Sequence, residues 1–177
     1  GLYEIDAETK KILRECHDNT DNNEGLLSDG ATDIIQYNDS LFVIASGGIC
    51  ILNNKANKFR YLTSADGLPA EQPTNLILDN KKRLWVASDG SLYRLNIENK
   101  LYVSYGAADG IVNDIFQVAS ATVLYDGRIA LGTPKDFMVF DPDKTVGDKP
   151  VPAVIISGIM SGSSYLSVDS IIKNDKL

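Results

Sequence analysis

Short apolar runs separated by small polar turns recur along residues 1–141 in one fixed order. An apolar-rich run comes first: Thr32 to Tyr37, Thr74 to Asp79 or Val118 to Tyr125. A polar turn follows, at Asn38-Asp39, Asn80-Lys81-Lys82 or Asp126-Gly127. Asp-Gly between apolar runs is a hairpin signal, because both turn residues must accept positive φ. Then come a second run, a small-residue turn (Ser46-Gly47, Asp89-Gly90, Pro134-Lys135) and a third run. A weaker fourth run stands at Lys58 to Leu62 and Leu101 to Tyr105. No stretch carries sustained helical periodicity with capping signals. The pattern predicts antiparallel strands joined in chain order.

The order repeats with a period. Moved 43 positions without a gap, Leu41 to Asn53 falls on Leu84 to Asn96. Moved 45 further, Ala87-Ser88 falls on Gly132-Thr133, and Leu92 to Asn96 falls on Phe137 to Asp141. Backwards, Ser91 to Asn96 falls on Gly1 to Asp6. A second marker, Gly25-Leu26, Gly67-Leu68 and Gly110-Ile111, keeps the same spacing. Four short strands in roughly 40–45 residues, in tandem, mark β-propeller blades. A four-stranded sheet hides neither face alone, and stacking sheets hides both. This alignment puts the small residues Ala45, Ser88 and Thr133 at one position, where neighbouring sheets would pack closely. It gives Trp85 the counterparts Phe42 and Ala130 and reads Trp85 as a core aromatic between blades. The count is the last two strands of one blade (1–14), then 25–62, 67–105 and 110–141, about three and a half in all. A closed ring needs at least four.

These residues carry a family resemblance. Asp66-Gly67-Leu68-Pro69, Leu76-Ile77-Leu78-Asp79, Leu84-Trp85-Val86-Ala87-Ser88 and Leu92-Tyr93-Arg94-Leu95 together resemble the two-component regulator propeller repeat. The unit from 67 to 96 matches closely. The unit from 110 to 141 keeps Gly132-Thr133 but lacks the Trp and the Pro, and 25–53 is more divergent. Pro152 to Ile159 resembles the first strand of the small β-sandwich, named for three tyrosines, that follows such propellers. Only its first hairpin is expected here, Val154 to Met160 pairing with Tyr165 to Val168 through a Gly162-Ser163-Ser164 turn. The expected organisation is therefore blades over 1–148 and the start of a sandwich over 149–177. The resemblance implies the periplasmic sensor region of a hybrid two-component histidine kinase, especially of gut Bacteroidetes. It implies oligosaccharide sensing, control of polysaccharide utilisation, and a downstream membrane helix. It also implies partners: the remaining blades and sandwich of the same receptor, and a second receptor copy in a homodimer.

Composition fits and excludes. The chain has 177 residues, 44% hydrophobic and 23% charged, enough apolar material for a core. Its net charge of −7 is spread along the chain, which argues against a nucleic-acid groove or an anionic membrane surface. The longest apolar run, Leu41 to Ala45, falls far short of the ~20 residues that span a bilayer. The chain does not begin with Met and opens on a strand, so it reads as a piece of a longer protein. Cys16 and Cys50 fall in different blades, which argues against a bridge between them.

Catalytic chemistry finds little support. His17 is the only histidine, and its neighbour Cys16 would point to the opposite side of a strand. The pair therefore reads as a surface histidine at the start of a long loop. Asp18 to Gly25 is rich in oxygen ligands but lacks calcium-loop spacing, so no metal and no cofactor is expected. Asp66 and Asp109 read as turn residues before a Gly of positive φ. Binding is expected on loops at one end of the blades, since packing consumes the strands. Loops 64–72, 88–90, 106–117 and 132–136 share that end. They carry Gln72, Asp89, Asn113, Asp114, Phe116, Gln117 and Lys135. Planar polar groups beside an aromatic suit sugar hydroxyls and a ring face. The expectation is a non-catalytic sensing segment. The alternatives are an interaction scaffold and, last, a propeller lyase or glycosidase.

Overall fold

The computed structural model describes residues 1–69, 72–111, 115–145, 158–161 and 164–167. The chain divides into two units, Gly1–Val146 and Gly147–Leu177.

The first unit is all-β apart from single turns of helix. It opens with a hairpin, β1 (Leu2–Ile5) and β2 (Ile12–Cys16). A four-stranded antiparallel sheet follows in chain order: β3 (Asp33–Gln36), β4 (Leu41–Ala45), β5 (Ile49–Asn53) and β6 (Lys58–Leu62). A second repeats it: β7 (Pro73–Leu78), β8 (Leu84–Ser88), β9 (Ser91–Leu95) and β10 (Tyr102–Tyr105). A third sheet shows three strands among the described residues: β11 (Ala121–Val123), β12 (Ile129–Gly132) and β13 (Phe137–Phe140). The short helix α1 (Pro142–Thr145) closes the unit. The second unit shows the hairpin β14 (Gly158–Ser161) and β15 (Ser164–Ser167). The part of the expected sandwich hairpin at Val154 to Ser157 and at Val168 lies outside the described residues.

β11 is shorter than the expected run from Val118 to Tyr125. Ala119 takes a φ of 52°, which breaks extended backbone. Val118 is exposed, and Tyr125 is fully exposed in the turn before Arg128.

Burial follows the stacking argument. Three apolar layers fill the gaps between consecutive sheets. Cys16, Leu26, Ile44, Cys50, Leu52 and Phe59 fill the first. The second holds Val43, Ala45, Ile51 and Leu62 from one sheet against Leu84, Val86, Tyr93 and Leu95 of the next. Trp85, Ala87, Leu92 and Tyr105 pack against Ile129 and Leu131 in the third. One marker residue plugs each gap: Leu26, Leu68 and Ile111, all buried. Cys16 and Cys50 lie in neighbouring sheets and are free, buried thiols.

The strand register corrects the gapless alignment. Val43 and Ala45 face the second sheet, while Trp85 and Ala87 face the third. The counterpart of Trp85 is therefore Val43, and Phe42 lies on the other face, against the first layer. The cause is the turn between second and third strands. Ala45 pairs with Ile49 across Ser46-Gly47-Gly48. Ala87 pairs with Leu92, because the ladder gains the pair Ser88–Ser91 before the Asp89-Gly90 turn. That one extra residue shifts second strands to an offset of 42 while third strands keep 43, and a one-residue slip turns side chains to the opposite face. Ala130 remains a true counterpart of Trp85, since Ile129 and Leu131 on either side face back toward Trp85. The recurring small position becomes Ala45, Ala87 and Gly132. A Cβ on Gly132 would meet Ser120 Oγ at 2.9 Å. Ser46, Ser88 and Thr133 form a separate recurring position of buried hydroxyls.

Polar hooks tie the sheets together near the first strands. Thr32 donates its hydroxyl proton to the Pro73 carbonyl of the next sheet at 2.7 Å, while Thr74 and Ser120 keep theirs within their own sheets, on the carbonyls of Ala87 and Gln117. Asp33 Oδ2 accepts from Leu76 N–H of the next sheet at 2.8 Å. Asn75 does the same for Ser120 N–H at 2.7 Å, and its Nδ2 donates to the Gln117 carbonyl at 2.8 Å. The Leu76 and Ser120 N–H groups thereby find acceptors across the gaps.

Candidate functional site

The strands run so that β7 begins, and β8 ends, at the same end of their sheet, with Pro73 paired to Ser88. Gln72 and Asp89 stand there, both exposed. In the third sheet, the Gln117 N–H bonds the carbonyl of Gly132 at 2.9 Å, so Gln117 sits beside the end of β12. Lys135 lies in the next turn, where Thr133 Oγ1 accepts from Asp136 N–H at 3.1 Å. Asn75 joins these two sheets at this end through its bonds to Gln117 and Ser120. Gln72, Asp89, Gln117 and Lys135 are thus exposed on loops at the corresponding ends of adjacent sheets.

Phe116 does not belong with them. It is 4% exposed and packs into the layer that holds Trp85 and Ile129. The expectation of a ring face for sugar stacking is corrected: the ring is worth more against the apolar gap than in water. Asn113 and Asp114 lie outside the described residues.

The turns beneath these loops follow their sequence signals. Asp66 Oδ2 accepts from Thr63 N–H at 3.2 Å, and Gly67 takes a φ of 87°. Asp109 Oδ2 accepts from Gly106 N–H at 2.9 Å, and Gly110 takes 86°. Asp66 also holds Lys100 of the next sheet at 2.7 Å, and these donors keep its carboxyl below the usual range. Lys58 repeats that link with Glu24 at 3.0 Å.

His17 is exposed, edge-on to Tyr3, with Asp29 at 3.4 Å and Glu15 at 3.7 Å. Cys16 beside it is buried, so the two do not form a nucleophile–base pair. Burial raises the Cys16 thiol pKa, and raises that of Cys50 to about 11. Both thiols are therefore protonated and poor nucleophiles near neutral pH.

The sequence reading passed over one buried ionic centre. Asp79 is 2% exposed at the end of β7. Its carboxylate accepts from Trp85 Nε1 at 2.9 Å, Arg83 Nε at 2.5 Å and Lys81 N–H at 2.9 Å. Burial opposes the charge, but these donors outweigh it and hold the carboxyl below its ordinary value. Arg83 reaches on to Asp143 of α1 at 2.8 Å, and Lys81 meets the same carboxylate at 2.9 Å. The signal was an Asp six residues before a lone Trp, with an Arg between them.

No family model matches the chain, and no curated protein does. Solved structures do. The extracellular domain of the hybrid two component system BT3049 of B. thetaiotaomicron matches at TM-score 0.58 and 18% identity, over 79% of this chain and 17% of that one. Two structures of the extracellular domain of BT4673 of the same organism match at TM-score 0.54 over 73% of this chain, with 18% and 19% identity. One names BT4673 a one component system and the other a hybrid two component system. The chain spans 17% of the length of each of these matched chains. The likeness is one of fold.

Proposed function

We propose that this chain is a non-catalytic segment of the extracellular, periplasmic sensing region of a two-component receptor. The observation that carries the reading is the shared fold: matches over 73% to 79% of the chain are to extracellular domains named for signalling systems. No described helix is long and apolar enough to cross a membrane. In this reading the stacked sheets are blades of a propeller completed by the rest of the receptor. The exposed Tyr3, Ile5 and Leu13 of the first hairpin, and Phe137 of the third sheet, are apolar faces suited to further sheets. An intact receptor carries a histidine kinase beyond a membrane helix and works as a homodimer.

The ligand is an oligosaccharide, met by Gln72, Asp89, Gln117 and Lys135, with Asn113 and Asp114 on the same loop as Gln117. Its binding shifts the receptor by its difference in affinity between two states. Calorimetric titration of the complete periplasmic region against a panel of oligosaccharides tests this. Saturable binding to at least one member, weakened by alanine at Gln117 and Lys135, is the expected outcome. A flat response to every member removes the sensing claim.

One observation favours a second reading, a scaffold. The aromatic expected to stack on a sugar is instead packed into the core. If alanine at the exposed positions leaves oligosaccharide affinity unchanged in the whole receptor, these sheets only stack.

A further inference from the structure

The opposite end of the second sheet holds a cleft of about 340 Å³. The turns after β7 and β9 frame it, and Tyr37 of the neighbouring sheet flanks it. No acidic residue lines it, although the chain carries a net charge of −7. Three cations do: Lys82, Arg83 and Arg94. Arg83 is engaged by Asp79 and Asp143. Lys82 and Arg94 have no ion-pair or side-chain hydrogen-bond partner among the described residues. Arg94 is half-buried, so its charge is only partly relieved by water.

The neutral lining points the same way. Asn96 Oδ1 accepts from the N–H groups of Glu98 and Asn99, and Asn99 Oδ1 accepts from Leu101 N–H. Both carboxamides spend their acceptor internally, which leaves their N–H₂ donors for the cleft. Lys82 adds a conformational argument. It takes a φ of 61°, where its counterpart in the third sheet is Gly127 at 87°. The same turn bond confirms the equivalence, from Lys82 N–H to the Asp79 carbonyl and from Gly127 N–H to the Leu124 carbonyl. A left-handed lysine is unfavourable relative to glycine by about 1 kcal/mol. The second sheet thus keeps a cationic side chain where the third sheet keeps none.

We propose that this cleft is a binding site for an oxyanion, with Arg94 and Lys82 neutralising the anion and the Asn carboxamides donating to it. Tyr37 and the partly exposed Tyr102 line the cleft on the other face of the sheet from Arg94. The site is at the other end of sheet β7–β10 from Gln72 and Asp89, and it does not depend on the ligand proposed there.

The experiment is calorimetric titration of the whole chain at low salt with glucuronate, glucose and inorganic sulfate, repeated for Arg94→Gln and Lys82→Gly. Glucuronate should bind at least about tenfold tighter than glucose, which has the same ring without the carboxylate. Arg94→Gln should weaken glucuronate about tenfold or more, and Lys82→Gly about threefold to tenfold, each contact being charge-assisted. Lys82→Gly should hold or raise the melting temperature, since glycine suits that backbone, so its loss of affinity cannot be blamed on unfolding. Sulfate competing with glucuronate identifies the charge as what is recognised. Glucuronate binding without sulfate competition shows that the ring is needed too. The proposal is overturned by absence of both glucuronate and sulfate binding up to about 10 mM, by equal affinity for glucose and glucuronate, or by unchanged affinity in Lys82→Gly.

Discussion

The two full gaps between sheets are built on one plan and filled differently. Between the first two four-stranded sheets the layer is aliphatic, with Tyr93 as its one buried aromatic. Between the second and third it is aromatic: Trp85, Tyr105, Phe116 and Phe140 meet there, and Trp85 lies 5.1 Å from both Tyr105 and Phe140. The polar hooks differ in step. Asp33 makes one bond across the aliphatic gap, while Asn75 both accepts and donates across the aromatic one. The aromatic gap also carries the ion cluster that runs from buried Asp79 to Asp143 of α1. Two layers of equal architecture therefore depend on different chemistry. Loss of one large ring should damage the second gap more than any single aliphatic deletion damages the first.

Trp85→Ala should produce the largest loss, about 3–5 kcal/mol, read from urea unfolding of the whole chain. An equal loss for Val43→Ala, its counterpart in the aliphatic gap, would break the contrast. Asp79→Ala should cost about 3 kcal/mol, because it strands the Trp85 N–H and part of the Arg83 charge in a buried place. The stability that Asp79 contributes is present at neutral pH. It should fall as acid takes the pH down through the depressed folded pKa, and the variant should lose that limb of the profile.

Cys50 sharpens the comparison from the alkaline side, in the layer on the far face of the first sheet. Its folded pKa of about 11 stands above the ordinary 9.0. The unfolded chain therefore ionises first, and stability should decline as pH rises from about 9 through 11. About 2–3 kcal/mol is at stake, and Cys50→Ala should flatten that decline. Asn75→Ala should cost about 1–3 kcal/mol and Asp33→Ala about 1, matching the two bonds against one. Lys100→Ala, which breaks an exposed link to Asp66, should change stability by less than about 1 kcal/mol.

Most of this architecture was legible in the residues. The four runs of the two complete sheets, among them the fourth at Lys58 to Leu62, and the turns at Asp66-Gly67 and Asp109-Gly110 stand where the pattern placed them. The face of each second strand was not legible. Leu41-Phe42-Val43-Ile44-Ala45 and Leu84-Trp85-Val86-Ala87-Ser88 are covered on both sides, so neither alternates between apolar and polar, and a shift of one residue leaves apolar matched to apolar. Only the ladder reveals that one turn is a residue longer between equivalent pairs. Phe116 misled for a related reason. A loop residue was expected outside, yet this loop lends Ile111 and Phe116 to the layer beneath it. The cationic cleft was invisible because its walls come from turns of two sheets, and no short stretch of sequence contains Tyr37, Lys82 and Arg94 together.

The hooks on the first strands point one way along the chain. Asp33 reaches the following sheet, Asn75 reaches the one after, and the equivalent place on the third sheet is Ser120, whose hydroxyl stays on the carbonyls of Gln117 and Gly132. A tandem duplication of residues 33–75 would therefore arrive with its own fastening to whatever comes behind it. A duplicate added behind the third sheet would have to find another. Enlargement of such an array by copying is consequently easier in its interior than past that serine.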